Sequence, residues 1–480
     1  MTTIFKDGYY IPKSLQSLDI NKIKSDLTVE PFLIQKYKKQ NIKFNIYKET
    51  DAYIIVPKFY GIKLFGLPKY DKENEGEHIN INFTGTLREL QINIINDIIP
   101  YINNNYGGIL CLPCGTGKTI IALYLIAYFK VKTLIIVHKT FLLEQWCARI
   151  REFTNASIGI IQQKKQDVKN NDIVIGMLQS IAKEQYDNNI FKDFGMVIFD
   201  EAHHAPSQYF SKALPIISCK RTIGLSATPT RADKLDKILY WYFGDIMYKC
   251  ETATDIPVNV KCITFDIEHP KFKELKLYNG DINRAATINK IITIGRRNKL
   301  IIDNIVEVLK LHNRKIIVLS DRIKHLELLK KRLDTYNECT SDYYIGGMKQ
   351  DALNKSENAD VIFATYTMAS EALDIPSLNT LFMVTPRVKI EQSVGRILRK
   401  IDLNSIPMIF DFIDNLPSFV RASIIRKRFY KSKNFTIKSI NYNNECNDDN
   451  DDNDDNDDND NNNNDNYDFI ESFNNICDFI

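Results

Sequence analysis

The sequence predicts two α/β domains in tandem, each built on a parallel sheet, and three observations carry that prediction. Short, fully apolar runs alternate with helical periodicity from Thr86 to about Phe243, at 109–112, 133–137, 173–175, 196–199 and 222–225. The alternation resumes at 315–319, 343–345, 360–364, 380–384 and 408–412. Strands that are apolar at nearly every position are buried on both faces, as a sheet covered by crossover helices requires. The third observation is length, since 480 residues suit two to four domains that each bury a core. The two sheets are expected to face each other.

The chain divides accordingly. Residues 1–84 read as a small accessory region, with a strand at 53–56 stopped by Pro57. Residues 85–245 form the first sheet domain, 246–294 a variable connection, 295–443 the second sheet domain, and 444–480 an acidic tail. Within the tail, 448–459 is four tandem copies of Asp-Asp-Asn, a composition that cannot bury enough apolar area to fold and so reads as disordered. The last residues, from Tyr467 to Ile480, mix acids with Phe and Ile. They read as a passive tail, as a dock for a partner, or as a competitor for whatever the basic body binds.

A net charge of +3 conceals an asymmetry. Residues 445–480 hold 14 acidic residues and no Lys or Arg, which leaves 63 basic against 46 acidic residues over 1–444. A body at about +17 suits a polyanion such as nucleic acid. Nine scattered cysteines argue for reduced thiols in an intracellular compartment. Cys111 and Cys114 do form a C-x-x-C, but they sit in a glycine loop with no second pair nearby. No apolar run approaches the roughly 20 residues that span a bilayer, and the N-terminus lacks a signal-peptide core. No membrane partner is therefore expected.

Two motifs point to chemistry. Leu112-Pro113-Cys114-Gly115-Thr116-Gly117-Lys118-Thr119 follows an apolar strand and precedes a helical pattern from Ile120 to Phe129. Glycines 115 and 117 let backbone N–H groups close around phosphates, Lys118 reaches the β- and γ-phosphates, and the Thr119 hydroxyl suits magnesium. The strict pattern wants Gly where Leu112 stands. The second motif, Asp200-Glu201-Ala202-His203, ends the strand 196–199 and places two carboxylates at the carboxyl edge of a sheet, where open α/β folds bind ligands. Asp200 suits Mg2+, often through water, and Glu201 suits orientation of an attacking water. Together they imply ATP hydrolysis. His203-His204 lack the i, i+4 spacing of a helical metal pair.

In the second domain, 392–399 reads as a helix with Gln392, Arg396 and Arg399 on one face and Val394, Ile397 and Leu398 toward the core. Arginines presented from a second domain reach a transferring phosphoryl group only when a cleft closes, which couples hydrolysis to domain motion.

These residues carry a resemblance over roughly 86–400. The chain resembles the superfamily 2 helicases, with two RecA-like domains. Arg88 and Gln91 resemble the adenine-reading segment, 112–119 motif I, 200–203 the DEAH form of motif II, and Ser226-Ala227-Thr228 motif III. Glu371-Ala372-Leu373-Asp374-Ile375-Pro376 resembles motif V, with Ala372 where glycine is usual, and 392–399 motif VI. The resemblance implies that Ser226 and Thr228 link the nucleotide site to strand separation and that Asp374 supports the nucleotide cleft. It also implies nucleic-acid contacts at His138, Lys139, Gln179 and Ser180. Thr365 and Tyr366, at a strand end, are candidates for the same role. Trp146, at helical spacing from Leu142 and Leu143, reads as core rather than as a base-stacking platform.

Thr228-Pro229-Thr230-Arg231-Ala232-Asp233 and Gln145-Trp146 resemble the excision-repair branch. The size and Val56-Pro57-Lys58-Phe59-Tyr60 are similar to the poxvirus transcript-release DNA helicases. That likeness implies a DNA-dependent ATPase that unwinds 3′ to 5′ on single strands or overhangs and acts on a viral RNA polymerase elongation complex. Its location would be the cytoplasmic viral factory, with packaging in the virion as a further expectation. A repair-type helicase, an RNA helicase, and a nucleotide-binding scaffold without turnover are the competing readings.

Overall fold

The computed structural model describes residues 2–15, 18–32, 43–113, 115–184, 186–227, 233–250, 257–371, 373, 375–398 and 405–443. Thr228, Asp374, Arg399, Cys114 and the tail 444–480 therefore lie outside the described residues.

Two parallel sheets form the body. The first runs in the order Lys165–Gln166, Ile158–Gln162, Ile173–Met177, Thr133–Val137, Met196–Phe199, Arg221–Ser226, Gly107–Cys111 and Ile246–Lys249, with only the short outermost strand antiparallel. The second runs Ser341–Tyr344, Val361–Thr365, Ile316–Ser320, Thr380–Met383, Met408–Asp414, Asn259–Asp266 and Thr436–Asn443, all parallel. The α/β architecture with two parallel sheets is as the apolar runs predict, and two RecA-like domains are what the resemblance implies. All-apolar strands behave as expected: alternate residues feed opposite cores, with Ile109, Leu134 and Val197 on one face of the first sheet and Leu110, Ile135 and Ile198 on the other.

The stretch 246–294 is more than a connection. Ile246–Lys249 pairs with the phosphate-loop strand, and Asn259–Asp266 lies inside the second sheet between two neighbours. The sequence does not signal the latter because Asn259, Lys261, Thr264 and Asp266 interrupt its apolar pattern. Lys261 is nonetheless buried, donating to Asn304 Oδ1 at 2.7 Å.

The accessory region is joined to the first sheet domain through a shared core. Its five-stranded sheet contributes Ile4, Tyr9, Ile11, Ile54 and Val56 to the same apolar cluster as Leu239 and Phe243, and Tyr60 meets Trp241 edge-on at 5.7 Å. Lys58 is buried, ion-paired to Glu73 and donating to the Lys220 carbonyl at 2.9 Å. Pro57 stops the strand Tyr53–Val56 and caps the helix Lys58–Phe65.

Two buried Arg–Asp pairs hold the second sheet domain. Asp411 and Asp414 are three residues apart on one strand and so point to opposite faces. Arg426 grips Asp411 with Nε at 2.8 Å and Nη2 at 2.7 Å, while Arg297 grips Asp414 at 2.6 and 3.1 Å. All four are almost fully buried.

Candidate nucleotide site at the carboxyl edge of the first sheet

Strand order decides which loops meet. The strands Thr133–Val137, Met196–Phe199, Arg221–Ser226 and Gly107–Cys111 are consecutive neighbours. The residues at or just past their carboxyl ends, His138, Asp200-Glu201, Ser226, Leu112-Pro113 and Gly115-Thr116-Gly117, therefore stand side by side along one edge. Open α/β sheets bind ligands at such an edge.

The phosphate loop is preformed. Gly115 and Gly117 have φ of 86° and 82°, left-handed values that glycine adopts without steric cost. A Cβ at Gly117 would lie 2.3 Å from Gln91 Nε2. Thr116 Oγ1 donates to the Pro113 carbonyl at 2.8 Å, and the Leu112 amide donates to the Ser226 carbonyl at 3.2 Å. Gln91, only 2 % exposed, accepts from the Arg88 amide at 2.9 Å and donates to the Thr116 carbonyl at 3.1 Å. Gln91 thus braces the loop from behind, while the Arg88 side chain stands in solvent. Lys118 and Thr119 open the helix Lys118–Phe129, whose Ile121, Ala122, Leu123, Leu125 and Ile126 are fully buried. A helix apolar on every side is locked between sheet and neighbouring helices, and so is the loop that begins it.

The carboxylates are distinct. Lys118 Nζ lies 3.7 Å from Glu201 Oε1, and His203 Nδ1 lies 3.2 Å from Glu201 Oε2. Burial pushes Glu201 up, but Lys118, His203 and His204 together outweigh it and hold the carboxyl well below the usual carboxylate range. Asp200 moves the other way: burial first, then the neighbouring Glu201, raise it. Its two oxygens are each engaged, Oδ2 by Trp146 Nε1–H at 2.9 Å and Oδ1 by the Glu201 amide at 3.0 Å. Trp146 is therefore both core and a positioning residue for Asp200, a role the sequence does not show. Glu201 adopts φ 48° and ψ 52°, a left-handed conformation that costs a non-glycine residue about 1–2 kcal/mol. Such strain persists only where surrounding contacts fix it, and it clusters at functional sites.

A chain of side chains leads away from Glu201. His203 Nδ1 is 3.2 Å from the buried Ser226 Oγ, which joins the second and third motifs. The rings of His203, His204 and His138 lie in a row, with centroids 4.2 Å apart for the first pair and 4.0 Å for the second and planes tilted by 37° and 32°. Burial pushes His138 down to about 4 and His204 down to about 3, so both are neutral at neutral pH. Gln179 donates to the His138 carbonyl, and Ser180 Oγ accepts from the Gln163 amide at 2.9 Å. Lys139 and Thr140 begin the next helix, and Phe141 packs against the apolar cluster of the second sheet domain. Ala227 is half-buried beside Ser226.

The second domain departs from expectation in two places. The helix spans only Glu391–Arg396, and Arg396 is buried and donates to the Leu373 carbonyl at 2.7 Å. It does not lie on an open basic face; Gln392 is half-buried. Tyr366 is also buried, with its hydroxyl bonded to the Thr385 carbonyl at 2.8 Å. As placed, it offers a strand nothing, because its one polar group is spent and its ring lies under Arg387. Thr365 remains half-buried at the strand end.

A glycine loop at a helix start, a lysine beside one of two carboxylates at a strand end, and a second parallel-sheet domain define a nucleoside triphosphatase of the phosphate-loop type. Oxygen donors from Thr119 and Asp200 fit a hard cation such as Mg2+, which prefers oxygen and keeps its own waters. Residues 84–231 match the family described as type III restriction enzyme, res subunit. A protein of Acanthamoeba polyphaga mimivirus named "Putative ATP-dependent RNA helicase L396" is 39% identical over 91% of this chain and 86% of its own. One of African swine fever virus with the corresponding name, QP509L, is 28% identical over 68% of this chain and 69% of its own. Among solved structures, the type ISP restriction-modification enzyme LlaBIII bound to DNA shares the fold at a TM-score of 0.54, with 17% identity over 75% of this chain and 32% of that one.

The chain belongs to superfamily 2 of the helicases and is an ATP-dependent nucleic-acid helicase of the kind found in large DNA viruses.

Proposed function

We propose that this helicase is a DEAH-type, DNA-dependent ATPase that moves 3′ to 5′ on a single strand and releases nascent transcript from a viral RNA polymerase. Its setting would be the cytoplasmic factory, with packaging in the virion. The observation that carries the motor reading is the continuous path from Lys118 through Glu201 and His203 to Ser226.

Lys118 would draw charge from the γ-phosphate, and Glu201, kept ionised by the Lys118 ammonium beside it, would orient the attacking water and take its proton. Thr119 and Asp200 would hold Mg2+, which neutralises charge on the phosphates when bound. Loss of the γ-phosphate changes what Lys118 faces, and Glu201, shared between Lys118 and His203, relays the change to Ser226 and the strand behind it. Arg396 would leave the Leu373 carbonyl to reach the phosphate as the domains close.

DNA as the strand is supported by the likeness of 228–233 to the excision-repair branch and by the basic body. RNA is the second reading, favoured by the names of the viral relatives. ATPase rates with single-stranded DNA, duplex DNA and RNA, followed by strand displacement with 3′ and 5′ overhangs, test both. Stronger stimulation by RNA than by DNA would replace the DNA reading, and displacement from 5′ overhangs alone would reverse the polarity.

A further inference from the structure

Between the strand Asn259–Asp266 and the helix Arg284–Ile291, the chain rises from the carboxyl edge of the second sheet as a short hairpin. Lys276 and Ile282 pair antiparallel. The Leu277 amide bonds the Asp281 carbonyl at 2.6 Å, the Gly280 amide bonds the Leu277 carbonyl at 2.9 Å, and the Asn283 amide bonds the Leu275 carbonyl at 2.6 Å. Asn279 and Asp281 close the turn with side-chain bonds at 3.0 and 3.1 Å. The base is anchored as well. Glu274 accepts from the Ser418 amide at 2.7 Å, Leu275 donates to Thr287 Oγ1 at 3.0 Å, and Phe272 packs edge-on against Phe265 at 5.6 Å.

At the tip of this braced turn stands Tyr278, 112% exposed relative to a reference Tyr, beside Leu277 at 45%. A turn stiffened by this many bonds is not built to wave a ring in solvent. Lys271, Lys273 and Lys276 of the same segment are all exposed. Of the acids in this segment, Glu274 is engaged at the Ser418 amide and Asp281 in the turn, while Glu268 is exposed.

The helix after the hairpin lies across the ends of the neighbouring strands. Arg284 donates to the Pro386 carbonyl, and Arg322 donates to Asn289 Oδ1 at 2.6 Å. The same edge presents Arg387 and Lys389 to solvent. Lysines that take phosphates without reading sequence, together with a rigid exposed ring, match the two components of sequence-tolerant single-strand binding.

Given the helicase reading, on which this rests, we infer that Tyr278 is a stacking platform for a base of single-stranded nucleic acid and that Lys271, Lys273 and Lys276 take the flanking phosphates.

The test uses the full chain. Tyr278→Ala should melt at the wild-type temperature, because the ring contacts nothing it would leave unsupported. It should bind a single-stranded oligonucleotide roughly fivefold or more weakly, the loss expected for one base–aromatic stack. Tyr278→Phe should restore binding, since stacking needs the ring and not the hydroxyl. An oligonucleotide carrying 5-iodouracil should crosslink to residue 278 on irradiation. Lys276→Ala should flatten the salt dependence of binding by about one unit of slope. Wild-type affinity in Tyr278→Ala, or a Tyr278→Phe variant as weak as Tyr278→Ala, overturns the platform. A wild-type chain that binds no oligonucleotide and shows no stimulation of its ATPase overturns the helicase reading and this inference with it.

Discussion

Replacing Trp146 by Phe removes the Nε1–H that donates to Asp200 Oδ2 over 2.9 Å and keeps an aromatic plate in a position only 2 % exposed. A hydrogen bond to a charged group contributes about 1.5–3 kcal/mol, or about 13- to 150-fold in an equilibrium constant. Partners that orient a metal-binding carboxylate are worth about 10- to 100-fold in metal affinity or activity. The two magnitudes overlap, so the half-saturating Mg2+ concentration for ATP hydrolysis should rise about tenfold or more. The sign follows from the site: burial already raises Asp200, and Trp146 is one of the groups that lower it again. Without the indole, the carboxyl is harder to ionise and is held only through Oδ1 by the Glu201 amide. The assay is ATPase rate against free Mg2+ at saturating ATP. Leu143→Ala, in the same helix and buried, serves as control because it removes core volume without touching Asp200. A Mg2+ dependence in Trp146→Phe within about twofold of wild type, or an equal shift in the control, would refute the positioning role.

Glu201→Gln should keep ATP binding, measured by a fluorescent analogue, and lower turnover by about 100-fold or more, because proton acceptance by a positioned base contributes about 10²–10⁴; near-wild-type turnover would remove Glu201 from the mechanism. His203→Ala breaks the contact to Ser226, so base pairs separated per ATP hydrolysed should fall several-fold, and an unchanged ratio would show that coupling runs elsewhere. His325 is fully buried, bonded to Ser320 and Asn298, and held well below its ordinary 6.5 by burial and Arg297. The unfolded chain therefore binds the extra proton first. The stability this neutral ring contributes is present above pH 6.5 and is lost as pH falls below it, by about 1.4 kcal/mol at one unit lower. Thermal melts of wild type and His325→Asn from pH 7.5 to 5.5 should show a shallower slope in the variant, and parallel slopes would exclude this histidine.

Much of the fold is legible in the sequence because parallel strands covered on both faces must be apolar at nearly every position. The runs 133–137 and 196–199 coincide with the observed strands Thr133–Val137 and Met196–Phe199. Asn259–Asp266 escapes detection because buried polar residues such as Lys261 find partners 43 residues away, and no local pattern records that. The helix expected over 392–399 stops at Arg396, with Gly395, a weak helix former, in its last turn. The inward turn of Arg396 to the Leu373 carbonyl is a tertiary contact that helical spacing cannot reveal.

The sequence by itself determined the local chemistry of this protein: glycines where the chain must take positive φ, a lysine and threonine at a helix start, two carboxylates after an apolar strand. Each of these is set by neighbours within a few residues, so each leaves a readable motif. Only the tertiary structure decided that Trp146 reaches Asp200 across 54 residues, that the rings of His138, His204 and His203 lie in a row, and that the sheet of the accessory region shares a core with the first sheet domain. It also placed Tyr278 in solvent at the end of a braced turn. Those facts depend on strand order and on packing between distant segments, which are selected by the burial of whole faces and leave no periodicity in the sequence.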